Sequence, residues 1–276
     1  MGDITLVEMG GLVLGLLLTG VLAGIHAGLL GVGGGIVVVP VLFYVFALLD
    51  IDPALRMHLA VGTSLAIIVP TSLRSARSHY HAGTVDTGLL RDLGPALLAG
   101  VVLGIVLSAV VSGRFLTAVF AIMAVLVAIN MARSSGPPKI TGTPPAGALR
   151  HGIGTFIGSV STMMGIGGGT LSVPILDALG YPIRRSIGTA AAIGTIISVP
   201  GAVGFVWAGW GADALPPFSL GYVSLLGLAV IAPLTVLCAP FGVRLAMTMD
   251  TTHLKRAFAV FLFLTALSML YSVLNG

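Results

Sequence analysis

The sequence predicts an all-α integral membrane protein made of two inverted repeats, each with about five helical segments, which gives eight to ten helices in total. Three observations predict this class: an apolar composition, short segments that follow glycine triplets, and an internal similarity between the halves. Of the 276 residues, 57% are hydrophobic, with only 13 Lys or Arg and 9 Asp or Glu. A soluble domain of this length carries about 70 charged residues. A soluble enzyme is excluded, because so few charges cannot cover a water-facing surface.

Ten apolar segments follow one another along the chain. Some are long enough to cross about 30 Å of hydrocarbon, but 35–49 and 169–180 are too short. Each of these two follows a glycine triplet and contains a proline, which is typical of broken or re-entrant helices. We expect these short helices at the interface between the repeats. The ten segments are 10–30, 35–49, 58–73, 94–112, 115–132, 152–165, 169–180, 186–209, 218–243 and 257–274.

The two halves share a glycine and proline pattern. A shift of 134 residues places nine residues of the window 20–42 on identical residues of the window 154–176. A shift of 126 residues places the tripeptide 61–63 (VGT) on 187–189 (IGT). Matches at nearly constant shifts predict a repeat architecture.

The distribution of charge predicts how the halves cross the membrane. The organisation is a first repeat at 1–134 with its N-terminus outside, a cytoplasmic Pro/Gly-rich linker at 135–150, and a second, inverted repeat at 151–276. Five segments per half is an odd number, so the second half starts from the opposite side. The inner loops then hold eleven Lys or Arg and the outer loops only Arg56 and Arg114, as the positive-inside rule requires. Inverted repeats are a transporter architecture.

The doubled glycine break is the strongest candidate site. New helices are predicted to begin at Ile36 and Thr170, directly after the glycine triplets. A helix N-terminus presents unpaired amides and a partial positive charge, and glycine lets a ligand reach the backbone. Two such N-termini facing each other predict an anion site, whereas a single break would indicate tight helix packing. The predicted substrate-binding residues here are Gly33, Gly34, Gly35, Gly167, Gly168 and Gly169.

Hydroxyl side chains near the breaks are the second set of candidates. Hydroxyls can donate to oxyanions where water is scarce, and the alternative is that they bond back to their own helix. Pro40 and Pro174 are assigned to helix breaking or gating. The predicted hydroxyl contacts to substrate are Thr63, Ser64, Thr170 and Thr189.

His26 is the only ionisable residue that the sequence places well inside an apolar segment. An intramembrane titratable group is a functional candidate, so His26 is predicted to couple protons or to contact the anion. The alternative is a neutral ring bonded to a neighbouring helix. His58 and His79 are assigned to loops, with the nearby arginines, as topology charges or headgroup anchors.

The sequence contains none of the enzyme motifs that were considered. It contains no metal-binding Cys/His spacing, no HExxH, no GxSxG, and no Gly-Lys-Ser/Thr after the glycine runs. We therefore expect no catalytic residues, metal or cofactor. The expected partners are a small anionic substrate and the lipid bilayer, and not nucleic acid.

The glycine segments and their neighbours resemble the sulfite exporter TauE/SafE family of membrane transporters. The resemblance rests on GLLGVGGGIVVVPVL (28–42), its echo TMMGIGGGTLSVPIL (162–176), AVGTS (60–64), IGTAAA (187–192) and HYHAGTVD (79–86). It implies a carrier in a bacterial or archaeal inner membrane that exports sulfite or short organosulfonates. The second half departs at Ala190, which replaces the hydroxyl of Ser64.

These observations predict a secondary transporter of a small sulfur oxyanion that works by alternating access between the repeats. Two alternatives remain open at this point. One is a channel-like facilitator for a small neutral or weakly acidic solute, which the shortage of buried charge permits. The other is a membrane enzyme or assembly subunit.

Overall fold

The computed structural model describes residues 6–31, 33–132, 147–248 and 252–275. Within these ranges the chain forms ten helices and one two-stranded hairpin, in which Ser219 pairs with Ser224. The helices are α1 Leu6–Leu30, α2 Gly35–Leu48, α3 Pro53–His81, α4 Thr87–Val110, α5 Gly113–Ala132, α6 Gly147–Met164, α7 Gly169–Ala178, α8 Ile183–Ala208, α9 Leu225–Thr248 and α10 Thr252–Asn275. The strands are β1 Ser219–Leu220 and β2 Val223–Ser224.

Seven of the described helices are long and apolar enough to cross a membrane. This confirms the predicted all-α integral membrane class, while the inverted orientation of the second half stays a prediction. The short helices α2 and α7 have 14 and 10 residues and begin at Gly35 and Gly169, one residue earlier than predicted. Both continue through their proline, Pro40 or Pro174, so the chain breaks at the glycines that precede them.

Local sequence explains where the long helices begin and end. Asp52 caps α3 by accepting the amide of Ala54 at 2.8 Å, and Asp86 caps α4 by accepting the amide of Leu89 at 3.0 Å. After α1 and α6, the residues Gly31 and Gly165 both have a φ of 67°, a left-handed conformation that ends a helix at little cost for glycine.

The helices of the two halves interleave. The long helices α3 and α8 pack against each other, α1 packs on α9, α6 packs on α4, and α5 packs on α10. Each helix of the first half has a counterpart five helices later in the second half. When every helix is replaced by its counterpart, the α1–α9 pair becomes the α6–α4 pair, and the α3–α8 and α5–α10 pairs are unchanged. The helix pairing therefore has the twofold character that the repeat predicts.

Glycines bring the paired helices close together. A Cβ on Gly24 of α1 would lie 2.7 Å from the carbonyl oxygen of Thr235 in α9. In the corresponding pair, a Cβ on Gly154 of α6 would lie 2.8 Å from Cβ of Ala96 in α4. These glycines allow the close backbone approach that is typical of membrane helices.

Candidate functional site

The two glycine breaks meet where α3 crosses α8. A Cβ on Gly35 would contact the carbonyl oxygen of Gly165 and would lie 2.9 Å from Oγ of Ser64. A Cβ on Gly165 would lie 2.8 Å from Cα of Val61 in α3. The first break packs on α8 in the same way, since a Cβ on Gly31 would lie 3.2 Å from the amide nitrogen of Ala191. Each break therefore lies against the long central helix of the other half.

Both short helices begin at a buried glycine that leaves their N-termini uncapped. Gly34 has a φ of 81° and Gly168 a φ of 73°, and no described side chain caps α2 or α7. Among the described residues, the amides of Gly169 and Thr170 have no hydrogen-bond acceptor. Buried amides are almost always paired in proteins, so these donors indicate a place for a polar ligand or water. The predicted glycines 33–35 and 167–169 are all buried around these N-termini.

Two of the predicted hydroxyls join the halves through matching hydrogen bonds. Oγ1 of Thr63 accepts the amide of Ser224 at 2.8 Å, and Oγ1 of Thr189 accepts the amide of Asp86 at 3.0 Å. We name these bonds the Thr63 clamp (Thr63 and Ser224) and the Thr189 clamp (Thr189 and Asp86). Each clamp ties the long helix of one half to the residue directly before α4 or α9 of the other. Both hydroxyl oxygens already accept a hydrogen bond from a backbone amide, so each threonine can offer a substrate only its hydroxyl hydrogen.

Ser64 bridges the breaks directly. Its buried Oγ donates to the carbonyl oxygen of Gly165 at 2.7 Å. The equivalent residue in the second half is Ala190, so this bond has no counterpart there. The hydroxyl therefore holds the second break against α3.

Replacing Ser64 with alanine is expected to weaken transport more than folding. The change removes one buried hydrogen bond, worth about 1 kcal/mol, and leaves a carbonyl of the second break without its donor. We expect the melting temperature to fall by a few degrees and the rate of substrate exchange to fall several-fold. Ala190→Ser is the matched control, because it adds a hydroxyl at the equivalent position. Equal exchange rates in Ser64→Ala and the wild type would show that the bridge has no part in the site.

Of the four predicted hydroxyls, that of Thr170 alone has no hydrogen-bond partner in the described part of the chain. Its Oγ1 is buried at the start of α7, beside the unpaired amides. Five further buried hydroxyls of the second half have no partner among the described residues: Ser161, Ser172, Ser186, Ser198 and Ser219. Sequence reasoning did not include Ser172, although comparing the repeats reveals it, because Ser172 stands where α2 has Val38. The second break is therefore the more polar of the two.

His26 lies on α1 beside the first turn of α2. Neither ring nitrogen has a partner in the described part of the chain, and the ring packs against Phe258 with centroids 4.3 Å apart. The ring lines a crevice with Ile36 and Val37 that is too narrow to hold a water molecule. Its predicted role in proton coupling or anion contact stays a prediction.

The prediction that His58 and His79 lie in loops is wrong. Both lie within α3 and are buried. The polar turns around them lower the hydropathy of α3 near its ends, so the apolar segment 58–73 was read shorter than the helix. The described residues contain no group of three or more His, Cys, Asp or Glu side chains that could hold a metal ion.

The seven described helices that are long and apolar enough to cross a membrane, with the two short helices that begin at glycine breaks, indicate a multi-pass membrane protein of the transporter class. The chain belongs to the sulfite exporter TauE/SafE family, whose model matches residues 16–269. It is similar to a probable membrane transporter protein of Haemophilus influenzae, with 34% identity over 255 residues that cover 92% of this chain and 96% of that protein. A probable membrane transporter protein of Methanocaldococcus jannaschii is 25% identical, covering 87% of this chain and 88% of its own length.

A third relative is a probable membrane transporter protein of Bacillus subtilis, 26% identical over 215 residues, covering 70% of this chain and 78% of that protein. No solved structure matches the chain. The family and the names of these relatives indicate a membrane transporter and not an enzyme.

Proposed function

We propose that this protein is a secondary transporter of a small sulfur-containing oxyanion, sulfite or a short organosulfonate. It exports the anion across the cytoplasmic membrane by alternating access. The observation that carries the proposal is the N-terminus of α7, where the amides of Gly169 and Thr170 and the hydroxyl of Thr170 are buried and find no acceptor among the residues that the structure describes. A helix N-terminus with free amides binds sulfur and phosphorus oxyanions without any cationic side chain.

Among the described residues no Lys or Arg lies at the breaks, which favours a singly charged ligand. Apart from the imidazole of His26 beside α2, these residues are glycines and apolar or hydroxyl-bearing side chains, so mainly dipoles stabilise the ligand's charge. Burying a second negative charge among dipoles alone would cost far more than burying one. Bisulfite and alkylsulfonates are monoanions, whereas sulfate is a dianion. The family is described as a sulfite exporter, and sulfite meets this charge requirement in its protonated form, bisulfite.

The interleaved halves support alternating access. The breaks lie against the opposite central helices, so a rotation of one half relative to the other would move both N-termini. In inverted-repeat transporters such rocking exposes one central site to each side of the membrane in turn. Pro40 and Pro174 lie inside the short helices that would move, and this placement supports a gating role.

The test is exchange of labelled sulfite in proteoliposomes of the purified protein. Unlabelled sulfite, methanesulfonate, taurine, sulfate and acetate compete in turn. The expected result is saturable exchange that sulfite and a short sulfonate inhibit and that sulfate inhibits least. Empty liposomes and a Gly168→Ala protein are the controls.

Two other outcomes would overturn the proposal. Flux that rises linearly with concentration and is inhibited by no oxyanion would favour the channel-like facilitator, which the uncharged site permits. Absence of flux for every sulfur anion, in a protein that remains folded, would remove sulfur oxyanions as the substrate class.

A further inference from the structure

We propose that His79 is a proton-binding site that controls the Thr189 clamp and thereby makes transport depend on pH. The proposal rests on the transport function above. His79 is buried in the last turn of α3, close to the end of α1. Its Nε2 lies 3.1 Å from the carbonyl oxygen of Gly28, and its Nδ1 lies 3.1 Å from Oγ1 of Thr84.

The partners of the ring define two protonation states. A carbonyl oxygen only accepts, so Nε2 carries a hydrogen that it donates to Gly28 in both states. Oγ1 of Thr84 donates to the carbonyl oxygen of His79 at 3.0 Å, and in this arrangement Nδ1 must also carry a hydrogen. When the imidazolium loses that proton, Nδ1 becomes an acceptor and the Thr84 hydroxyl turns towards it. Deprotonation therefore removes the bond from the Thr84 hydroxyl to the carbonyl oxygen of His79. The hydroxyl then donates to the ring instead, and the amide of Thr84 keeps its own bond to that carbonyl at 3.1 Å, so Thr84 is held to the end of α3 by two bonds in place of three.

Thr84 connects this change to the Thr189 clamp. The carbonyl oxygen of Thr84 lies against α8, since a Cβ on Gly188 would lie 2.6 Å from it. Thr189 follows Gly188 on α8, and its Oγ1 accepts the amide of Asp86, which lies two residues after Thr84. Protonated His79 thus holds the loop 82–86 in the position that closes the clamp, and the neutral ring loosens it.

The other buried histidines lack a partner that can exchange roles. Both ring nitrogens of His58 face carbonyl oxygens, Ala54 at 3.2 Å and Ser108 at 3.1 Å, and neither carbonyl can donate. His26 has no polar partner among the described residues. Of these three rings, only that of His79 contacts a hydroxyl, which can donate or accept.

Few charged groups lie near His79. Asp86 of the same loop uses its carboxylate to cap α4. Arg184 and Arg185 at the start of α8 and Arg244 of α9 are exposed, as are Arg74, Arg77 and His81 on α3 itself. Within the described ranges none of these side chains forms a hydrogen bond or ion pair with His79. No ion pair among the described residues therefore fixes the charge of the ring.

The first experiment measures sulfite exchange in proteoliposomes, with equal pH on both sides, from about pH 5.5 to about 8.5, a range that brackets the ordinary histidine pKa of about 6.5. The variant is His79→Gln, and the control is His81→Gln, an exposed histidine two residues along the same helix. Sulfite changes its own charge in this range, but identically for both proteins. We therefore compare the ratio of the control's exchange rate to the variant's at each pH, in which the charge of sulfite cancels. We expect this ratio to be about fivefold larger at high than at low pH, the effect of one hydrogen bond.

Two substitutions at Thr84 separate the proton switch from a structural role. Thr84→Val keeps the shape but removes the hydroxyl and should lose the pH dependence, whereas Thr84→Ser should keep it. Equal pH profiles in His79→Gln and His81→Gln, or a profile that moves only in His26→Leu, would overturn the proposal.

A second readout is independent of transport. Hydrogen–deuterium exchange of the peptide covering 82–89 is measured at both pH values in purified protein and corrected for the chemical exchange rate. Protection should fall at high pH in the wild type and His81→Gln, and should not change with pH in His79→Gln. If this linkage is found without sulfite flux, the transport proposal fails and the His79 switch stands. If flux is found and protection is independent of pH in the wild type, the His79 switch fails.

Discussion

Gly168→Ala is expected to reduce substrate exchange by more than about tenfold in a protein that still folds. Gly168 is the N-cap of α7 and has a φ of 73°, which costs a residue with a Cβ about 1–2 kcal/mol. The new Cβ would also lie 2.6 Å from Cδ1 of Ile197 and 3.0 Å from Cγ2 of Ile193. Because Ile197 is flexible, the fold can adapt, but the start of α7 shifts. The unpaired amides of Gly169 and Thr170 then lose the position that the anion requires.

The matched control is Gly211→Ala. Gly211 has a φ of 79°, almost the same backbone conformation, and a Cβ there meets nothing within 4 Å. Both variants therefore carry the same backbone strain, and only one carries it at the candidate site. We expect Gly168→Ala to melt a few degrees lower in detergent, because its Cβ also meets Ile197 and Ile193, and labelled sulfite exchange to differ by much more than this loss of stability explains. Comparable exchange by the two variants would refute the anion site at α7.

Gly24→Leu is expected to prevent most of the protein from folding. A Cβ at Gly24 would lie 2.7 Å from the carbonyl oxygen of Thr235 and 2.8 Å from Cβ of Cys238. The backbone of α9 cannot rotate away as a side chain does, so α1 and α9 must separate. Overpacking of well-packed interiors costs about 1–3 kcal/mol even when side chains can adjust, and here we expect a larger loss.

Gly15→Leu on the same helix provides the comparison. Gly15 is exposed and has nothing within 4 Å of its Cβ position, so leucine there faces lipid. Size-exclusion chromatography and thermal unfolding in detergent measure the folded fraction. We expect a wild-type profile for Gly15→Leu and aggregation or a strongly lowered melting temperature for Gly24→Leu. A stable, monodisperse Gly24→Leu protein would contradict the close α1–α9 contact.

The helices and the glycine breaks could be predicted from the sequence. Every one of the ten predicted segments corresponds to a helix in the described ranges, and both glycine triplets lead into a short helix. This works because hydropathy and glycine conformation act locally. A run of apolar residues forms a helix in lipid whatever its partners, and a left-handed residue is almost always glycine.

The hydroxyl roles could not be predicted in the same way. Ser64 bonds a residue 101 positions away, Thr189 a residue 103 away and Thr63 a residue 161 away. Such partners are set by how the halves pack, which no local pattern contains. His79 was misplaced for a related reason, because a polar last turn of a helix resembles a loop until its tertiary contacts are known.

The pairing of α1 with α9 has a consequence for biosynthesis. α1 ends at Leu30 and α9 begins at Leu225, so nearly the whole chain is made before the two can meet. At a translation rate of about 5–20 residues per second, roughly 10–40 s pass between the synthesis of α1 and the synthesis of α9. During this time the close-packing glycines of α1 have no partner and are open to other helices. Insertion of the first half and completion of the fold are therefore separate events, and a ribosome that stalls before α9 leaves a chain whose first helix cannot dock.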